Sequence, residues 1–324
     1  MDGMLVRHGT WQSLGHLTPT RPSDRQAAAS NHPLYGEIAA GPPVIPRVVG
    51  SHVSADTTSM PHRRLRRASV WYFCRMRPAL PGAPIDEVVA GFVFDRAIGP
   101  DAVESGIYLG ERAASFSRHE IHEPVIEVEN ASMVLPFPAP TRTWLVSSDN
   151  HWLVQLQHDR FHANWRRLTS THYPGFAPEG GIMDFALREF AQLQDFCRHR
   201  RDGAAPQHAR VDVTKIDLLL QGTHWHTMED AYTMLPAMKS AQSLLSAGGS
   251  EISLQTQEVV EDVTLTISVA AARLRAEPDR SLFRVEFRAV QTATGGLRDQ
   301  LLHMNNLLNE AFWRLIPDAE TRFK

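Results

Sequence analysis

Ser281-Leu282-Phe283-Arg284-Val285-Glu286-Phe287-Arg288-Ala289-Val290-Gln291-Thr292 is followed, after two residues, by Gly295-Gly296 and then by Leu297, Leu301, Met304, Leu308, Ala311, Phe312 and Leu315. Two periods stand in succession here. Phe283, Val285 and Phe287 alternate with Arg284, Glu286 and Arg288, the pattern of a strand with one buried face. The apolar residues beyond the glycines recur at three and four, the stripe of an amphipathic helix, which Pro317 ends. A sheet with one apolar face needs a cover, and such a helix supplies it. The stretch therefore predicts an α+β fold.

The same order of elements runs twice. The first pass opens with the apolar strand Asp86–Asp95, then Gly99-Pro100-Asp101, which reads as a helix start. Extended segments are expected at Pro124–Asn130 and Thr143–Arg167, the latter broken at Ser147–Asn150. After Gly180-Gly181 comes a helix with the stripe Ile182, Phe185, Ala186, Phe190, Leu193, Phe196 and Cys197. The second pass opens with Val211–Leu220, and Thr227-Met228-Glu229-Asp230 resembles a capping box. Its helix is expected to run to about Leu245 and end at Gly248-Gly249, before the alternating stretches Glu251–Leu274 and Ser281–Thr292. We expect two pseudo-repeated halves, 78–203 and 204–324, each an antiparallel sheet covered by a long amphipathic helix.

Residues 1–77 contrast with this. They hold ten Arg and no Lys against four acids, a balance of +6 that leaves −9 for the remainder of a chain of net charge −3. Rich in Pro, Ser, Gly and Ala and without a sustained hydrophobic period, they read as a disordered leader. His62-Arg63-Arg64-Leu65-Arg66-Arg67 is either a solvated basic tail, the better reading, or an anionic-surface patch. A third reading starts the native chain at Met76. No apolar run reaches the roughly 20 residues of a membrane span, and no secretory signal is recognisable, so a cytoplasmic location is expected. Two cysteines, Cys74 and Cys197, exclude a disulfide framework.

Chemistry is thinly written. His224-Trp225-His226 offers two imidazoles at i and i+2, the basis of a metal-dependent hydrolase reading, but a zinc site needs three or four converging ligands. His119-Glu120-Ile121-His122-Glu123 lacks the gap of a metalloprotease helix. Neither a nucleophile elbow nor a phosphate loop occurs. The reading leans away from an enzyme, and no cofactor is called for. The densest polar-aromatic stretch, Gln155–Arg167 continuing to Tyr173-Pro174, has Arg and Asn interleaved with aromatics, as a recognition surface or a single-strand binder would. The structural alternative makes His158-Asp159 a tight turn, Phe161 and Trp165 core, and Asn164 a partner of backbone groups. The −9 balance of the body weakens a nucleic-acid role.

Pro84-Ile85-x-Glu87-Val88-Val89, then Gln155-x-Gln157-x-Asp159-Arg160-Phe161-x-x-Asn164-Trp165-Arg166, then Tyr173-Pro174 resembles a sporadically distributed bacterial family of conserved hypothetical proteins. Its members begin shortly before the first motif and end in a helix like Leu302–Ile316, so the resemblance covers about Leu80–Lys324. Its patchy occurrence implies mobile-island or defence-associated genes, and it transfers no catalytic residue. The expectation is a binding protein with a protein partner, its surface formed by Glu87, Asp159, Arg160, Asn164, Trp165, Arg166 and Tyr173. A single-stranded nucleic-acid binder using that arm and the basic leader is the alternative.

Overall fold

Apolar alternation in β1 (Ile85–Phe94) and β6 (His208–Leu220) places these two strands antiparallel at the centre of one sheet, with Ala90 opposite Val213. The computed structural model describes residues 80–95, 102–124, 141–168, 170, 172–200, 204–239, 253–274, 277 and 279–324. The remaining strands are β2 (Arg118–His122), β3 (Arg142–Val146), β4 (Trp152–Gln157), β5 (Arg160–Arg166), β7 (Ser253–Val260), β8 (Val263–Arg273) and β9 (Ser281–Thr292). They form a single nine-stranded sheet in the order β2-β3-β4-β5-β1-β6-β9-β8-β7, every pair antiparallel. β5 returns beside β1 and β9 beside β6, and hairpins step outward from each.

Helices α1 (Ala102–Arg112), α2 (Ile182–Arg200), α3 (Met228–Met234), α4 (Leu297–Leu315) and α5 (Ala319–Arg322) complete the described elements with assigned bounds. All seven residues of the stripe expected on α2 are buried, and so is Glu189. Phe190 sits 4.5 Å from Phe92 of β1 and 5.6 Å from Phe161 of β5, while Phe312 of α4 lies 6.1 Å from Phe287 of β9. The register puts Phe92, Phe161 and Phe287 on one face of the sheet, so α2 and α4 share that face. Among the described residues no helix is long and apolar enough to cross a membrane.

Several details differ from the sequence reading. The helix expected to run to about Leu245 is not continuous: α3 breaks at Leu235, because Pro236 cannot donate the helical bond and crowds the preceding turn; helical backbone resumes over 236–239, and residues 240–250 lie outside the described residues. Its cap is as expected on one side only. Thr227 accepts from the Asp230 backbone, but Asp230 reaches back to the His226 N–H. The stretch after Glu251 is a hairpin, turned by Glu261-Asp262 with Glu261 at φ 57°. Residues 1–77, Gly99-Pro100-Asp101, most of Pro124–Asn130 and Gly248-Gly249 lie outside the described residues.

Candidate functional site

Period-two geometry decides what the Arg160–Arg166 strand offers. Arg160, His162, Asn164 and Arg166 point to the face opposite α2, whereas Phe161, Ala163 and Trp165 point into the helix-covered core. Trp165 is 3% exposed and meets Tyr173 edge-on at 5.3 Å. Of the two aromatics proposed for a recognition surface, Trp165 is therefore a core residue and the half-buried Tyr173 packs against it, both separated by the sheet from the polar ones. Asp159 lies in the β4–β5 turn, where it accepts from Arg160 Nε at 3.1 Å and Nη2 at 2.8 Å and from Gln157 Nε2 at 2.8 Å. Burial alone would raise its carboxyl, but the Arg160 guanidinium outweighs this and holds it below the usual range.

On the face opposite α2 and α4 a hydrogen-bonded chain crosses four strands. Arg142 Nη1 donates to Gln155 Oε1 (3.3 Å), Gln155 Nε2 to Asn164 Oδ1 (3.1 Å), and Asn164 Nδ2 to Glu87 Oε1 (2.5 Å). Each amide accepts at its oxygen and donates at its nitrogen, so the chain runs from a cation to a carboxylate with its dipoles aligned. Burial raises Glu87 above the ordinary carboxylate range, opposed by the Asn164 bond and by Arg166. Burial also lowers Arg142 to about 10, with Arg160 adding to the effect. The Gln-x-Gln-x-Asp-Arg spacing is thus the wiring of one hairpin and its seam with β1. Arg166 donates to the Asn150 carbonyl at 3.1 Å and lies 5.9 Å from the Trp144 ring.

Next to the chain, His162 and Asp212 close over Gly91. A Cβ at Gly91 would fall 1.8 Å from Asp212 Oδ1 and 2.4 Å from His162 Cδ2. Asp212 accepts from Arg288 Nη2 at 3.0 Å. The His162 Nε2 to Asp212 Oδ1 separation of 3.8 Å is too long for a hydrogen bond, and among the described residues Nε2 is buried without a hydrogen-bond partner. Burial lowers His162 to about 4 despite the adjacent carboxylate, so the imidazole is neutral at pH 7 and the contact is not an ion pair. Asp212 stays below the carboxylate range because His162 and Arg288 outweigh its burial.

Toward β9 and β8 the same face opens. Thr214, Arg284, Glu286, Arg288, Thr266 and Ser268 are half-buried, and Arg284 pairs with Glu286 at 2.7 Å. Charges of both signs alternate along the strand.

A second polar cluster lies on the helix side. Lys215 Nζ donates to Asn309 Oδ1 of α4 at 2.6 Å, and the charge of Asp217 acts on both Lys215 and Tyr173. Burial pulls Lys215 down to about 8 and pushes Asp217 up to about 7, each opposed by the other's charge. Sequence reasoning passed over this pair. The signal was phase: Lys215 and Asp217 keep step with the buried Val211, Val213 and Leu219.

The two histidines of the metal reading do not converge on a site. His224 Nδ1 accepts from the Leu220 N–H at 2.8 Å and its ring packs on Phe323, while His226 is exposed. Among the described residues no three His, Cys, Asp or Glu side chains gather to hold a metal ion. Comparison with protein-family models, curated proteins and solved structures finds no match.

Proposed function

We propose that this is a non-enzymatic binding protein that docks a protein partner on the open part of the sheet face opposite α2 and α4. The observation that carries the reading is the charge pattern there. Arg284, Glu286 and Arg288 alternate in sign along β9, Arg284 pairing with Glu286 and Arg288 with Asp212, and are flanked by Thr214, Thr266 and Ser268. A nucleic-acid backbone needs a track of one sign, whereas a mixed, hydrogen-bonding surface complements another protein. The buried chain from Arg142 to Glu87 stiffens the neighbouring half of that face, which lowers the ordering cost of binding. Glu87, Asp159, Arg160, Asn164 and Arg166 support the surface from this side; Trp165 and Tyr173 hold it from the core.

The same reading includes a duplicated architecture. The matching strand orders on either side of β1 and β6, with α2 on β5 and β1 and α4 on β9 and β6, support two repeated halves, each roofed by its long helix. The resemblance to the sporadic bacterial family supports a place in a mobile-island or defence-associated operon.

The test is affinity capture of the tagged full chain from a bacterial host carrying its neighbouring genes, repeated with Arg284→Glu and Ser268→Arg. A defined protein captured by the wild type and lost from both variants is expected. Nucleic acid captured instead, in a salt-dependent way, or a protein that both variants retain, would overturn the assignment.

A further inference from the structure

The two edges of the sheet are built differently. An edge strand presents a row of backbone donors and acceptors to any further strand, and proteins blunt such rows with short strands, charges, proline or bulges. β2, at one edge, is five residues long and carries Arg118, Glu120 and two histidines. β7, at the other, is eight residues long, with no proline, no lysine and no shift in its register with β8. Its one charge, Glu258, is taken up by Arg314 of α4. Every side chain from Gln255 to Val259 is exposed, and among the described residues β7 has a neighbouring strand on one side only.

The register fixes which residues of β7 face outward. The Leu274 N–H donates to the Arg280 carbonyl at 3.1 Å, continuing the β8–β9 ladder, so the even-numbered residues of β8 bond to β9. Its odd-numbered residues, Val263 to Val269, therefore bond to β7, at Val260, Glu258, Thr256 and Leu254. The N–H and C=O groups of Ser253, Gln255, Gln257 and Val259 are left pointing away from the sheet.

What fits this edge is an extended strand with the same outward alternation and no charge to set against Glu258. β7 itself meets both conditions. Two copies related by a two-fold axis through Thr256 pair antiparallel and use every outward residue of both strands. Thr256 then faces Thr256 of the partner subunit, and Gln255 faces Gln257 of the partner subunit, pairing amide with amide. Glu258 meets Leu254 of the partner subunit, so no like charges are opposed. We propose that the chain forms a two-fold dimer by β7–β7 pairing, which joins the two nine-stranded sheets into one. Paired residues share a face, so α4 of both copies lies on one side and both mixed-charge faces on the other. Association is measured on the isolated chain, and so is decided apart from the partner proposed above.

The experiment is sedimentation equilibrium of the full chain from ~1 μM to ~1 mM. A monomer–dimer equilibrium is expected. Gln257→Pro removes only an outward N–H and should weaken it about tenfold, the loss of one hydrogen bond from each copy. Thr256→Lys and Thr256→Glu each set like charges on the axis and should be monomeric alone, but should dimerise when mixed. That recovery also shows that both variants are folded. A wild type monomeric throughout, a dimer indifferent to Gln257→Pro, or Thr256 variants that do not re-associate on mixing would each overturn the proposal.

Discussion

Replacing Gly91 by alanine tests how tightly the sheet face opposite α2 and α4 is built. Gly91 sits in the central strand, opposite His162 on one side and Asp212 on the other. A methyl there meets the Asp212 carboxylate at 1.8 Å from Oδ1 and 2.9 Å from Cγ. Reaching ordinary contact requires the carboxylate to move by roughly 1.5 Å or more, and Asp212, 4% exposed and held by Arg288, cannot swing out cheaply. Overpacking costs about 1–3 kcal/mol. Loss of the Arg288 bond adds about 1 kcal/mol, discounted because the arginine is 35% exposed. Reduced freedom of the unfolded chain returns about 0.5–1 kcal/mol. The net expectation is a loss of about 1–3.5 kcal/mol, read as a fall of about 1 M in the urea midpoint. Gly106→Ala in α1, where a Cβ meets nothing within 4 Å, is the control and should stabilise by about 0.5–1 kcal/mol. The reasoning fails if Gly91→Ala lies within about 0.5 kcal/mol of the wild type. It fails equally if the cost is unchanged in an Asp212→Ala background, since groups in contact must couple.

Three further outcomes follow from the same geometry. His162, lowered to about 4 by burial, stays neutral where an unfolded histidine is charged, so its contribution is present above about pH 6.5 and is lost as pH falls toward 4; the stability difference between wild type and His162→Asn should rise across that window, and a flat difference refutes it. Lys215→Met strands the buried Asp217 and should cost about 3 kcal/mol, less when Asp217→Asn is added. Because burial raises Asp217 to about 7, the protonated acid is tolerated at pH 5 and the single-variant cost should be larger at pH 8; equal costs would count against the coupling. Trp165→Ala should lose about 3–5 kcal/mol in urea unfolding as a core cavity, whereas a change within about 0.5 kcal/mol would place the ring on the surface.

Much of the fold was legible. The α2 stripe from Ile182 to Cys197, the β4–β5 turn at His158-Asp159 and the strand at Ser281–Thr292 all express a period of neighbours along the chain. Boundaries were less so. Glu261-Asp262 turns a hairpin without glycine or asparagine, and the step at Leu235-Pro236 was read through as continuous helix. The candidate site was legible only in fragments. The Gln155–Arg166 motif stood out, but its aromatics were grouped with its polar residues until the pleat separated them onto opposite faces. Gly91, a glycine inside an apolar strand, was the available sign that another group approaches the backbone there. What approaches it, Asp212, lies in the other half of the chain.

The sequence by itself determined most of the long strands and helices, β1, β5, β6, β9, α2 and α4 among them, and which side of each is apolar, because those periods follow from the backbone geometry of single elements; the short edge strand β2 at Arg118–His122 was not foreseen. Only the tertiary structure decided that β1 lies between β5 and β6, and hence that Glu87 meets Asn164 and that Gly91 lies beneath Asp212. Strand adjacency and register arise from loop closure and packing between residues far apart in the chain, which local alternation does not encode.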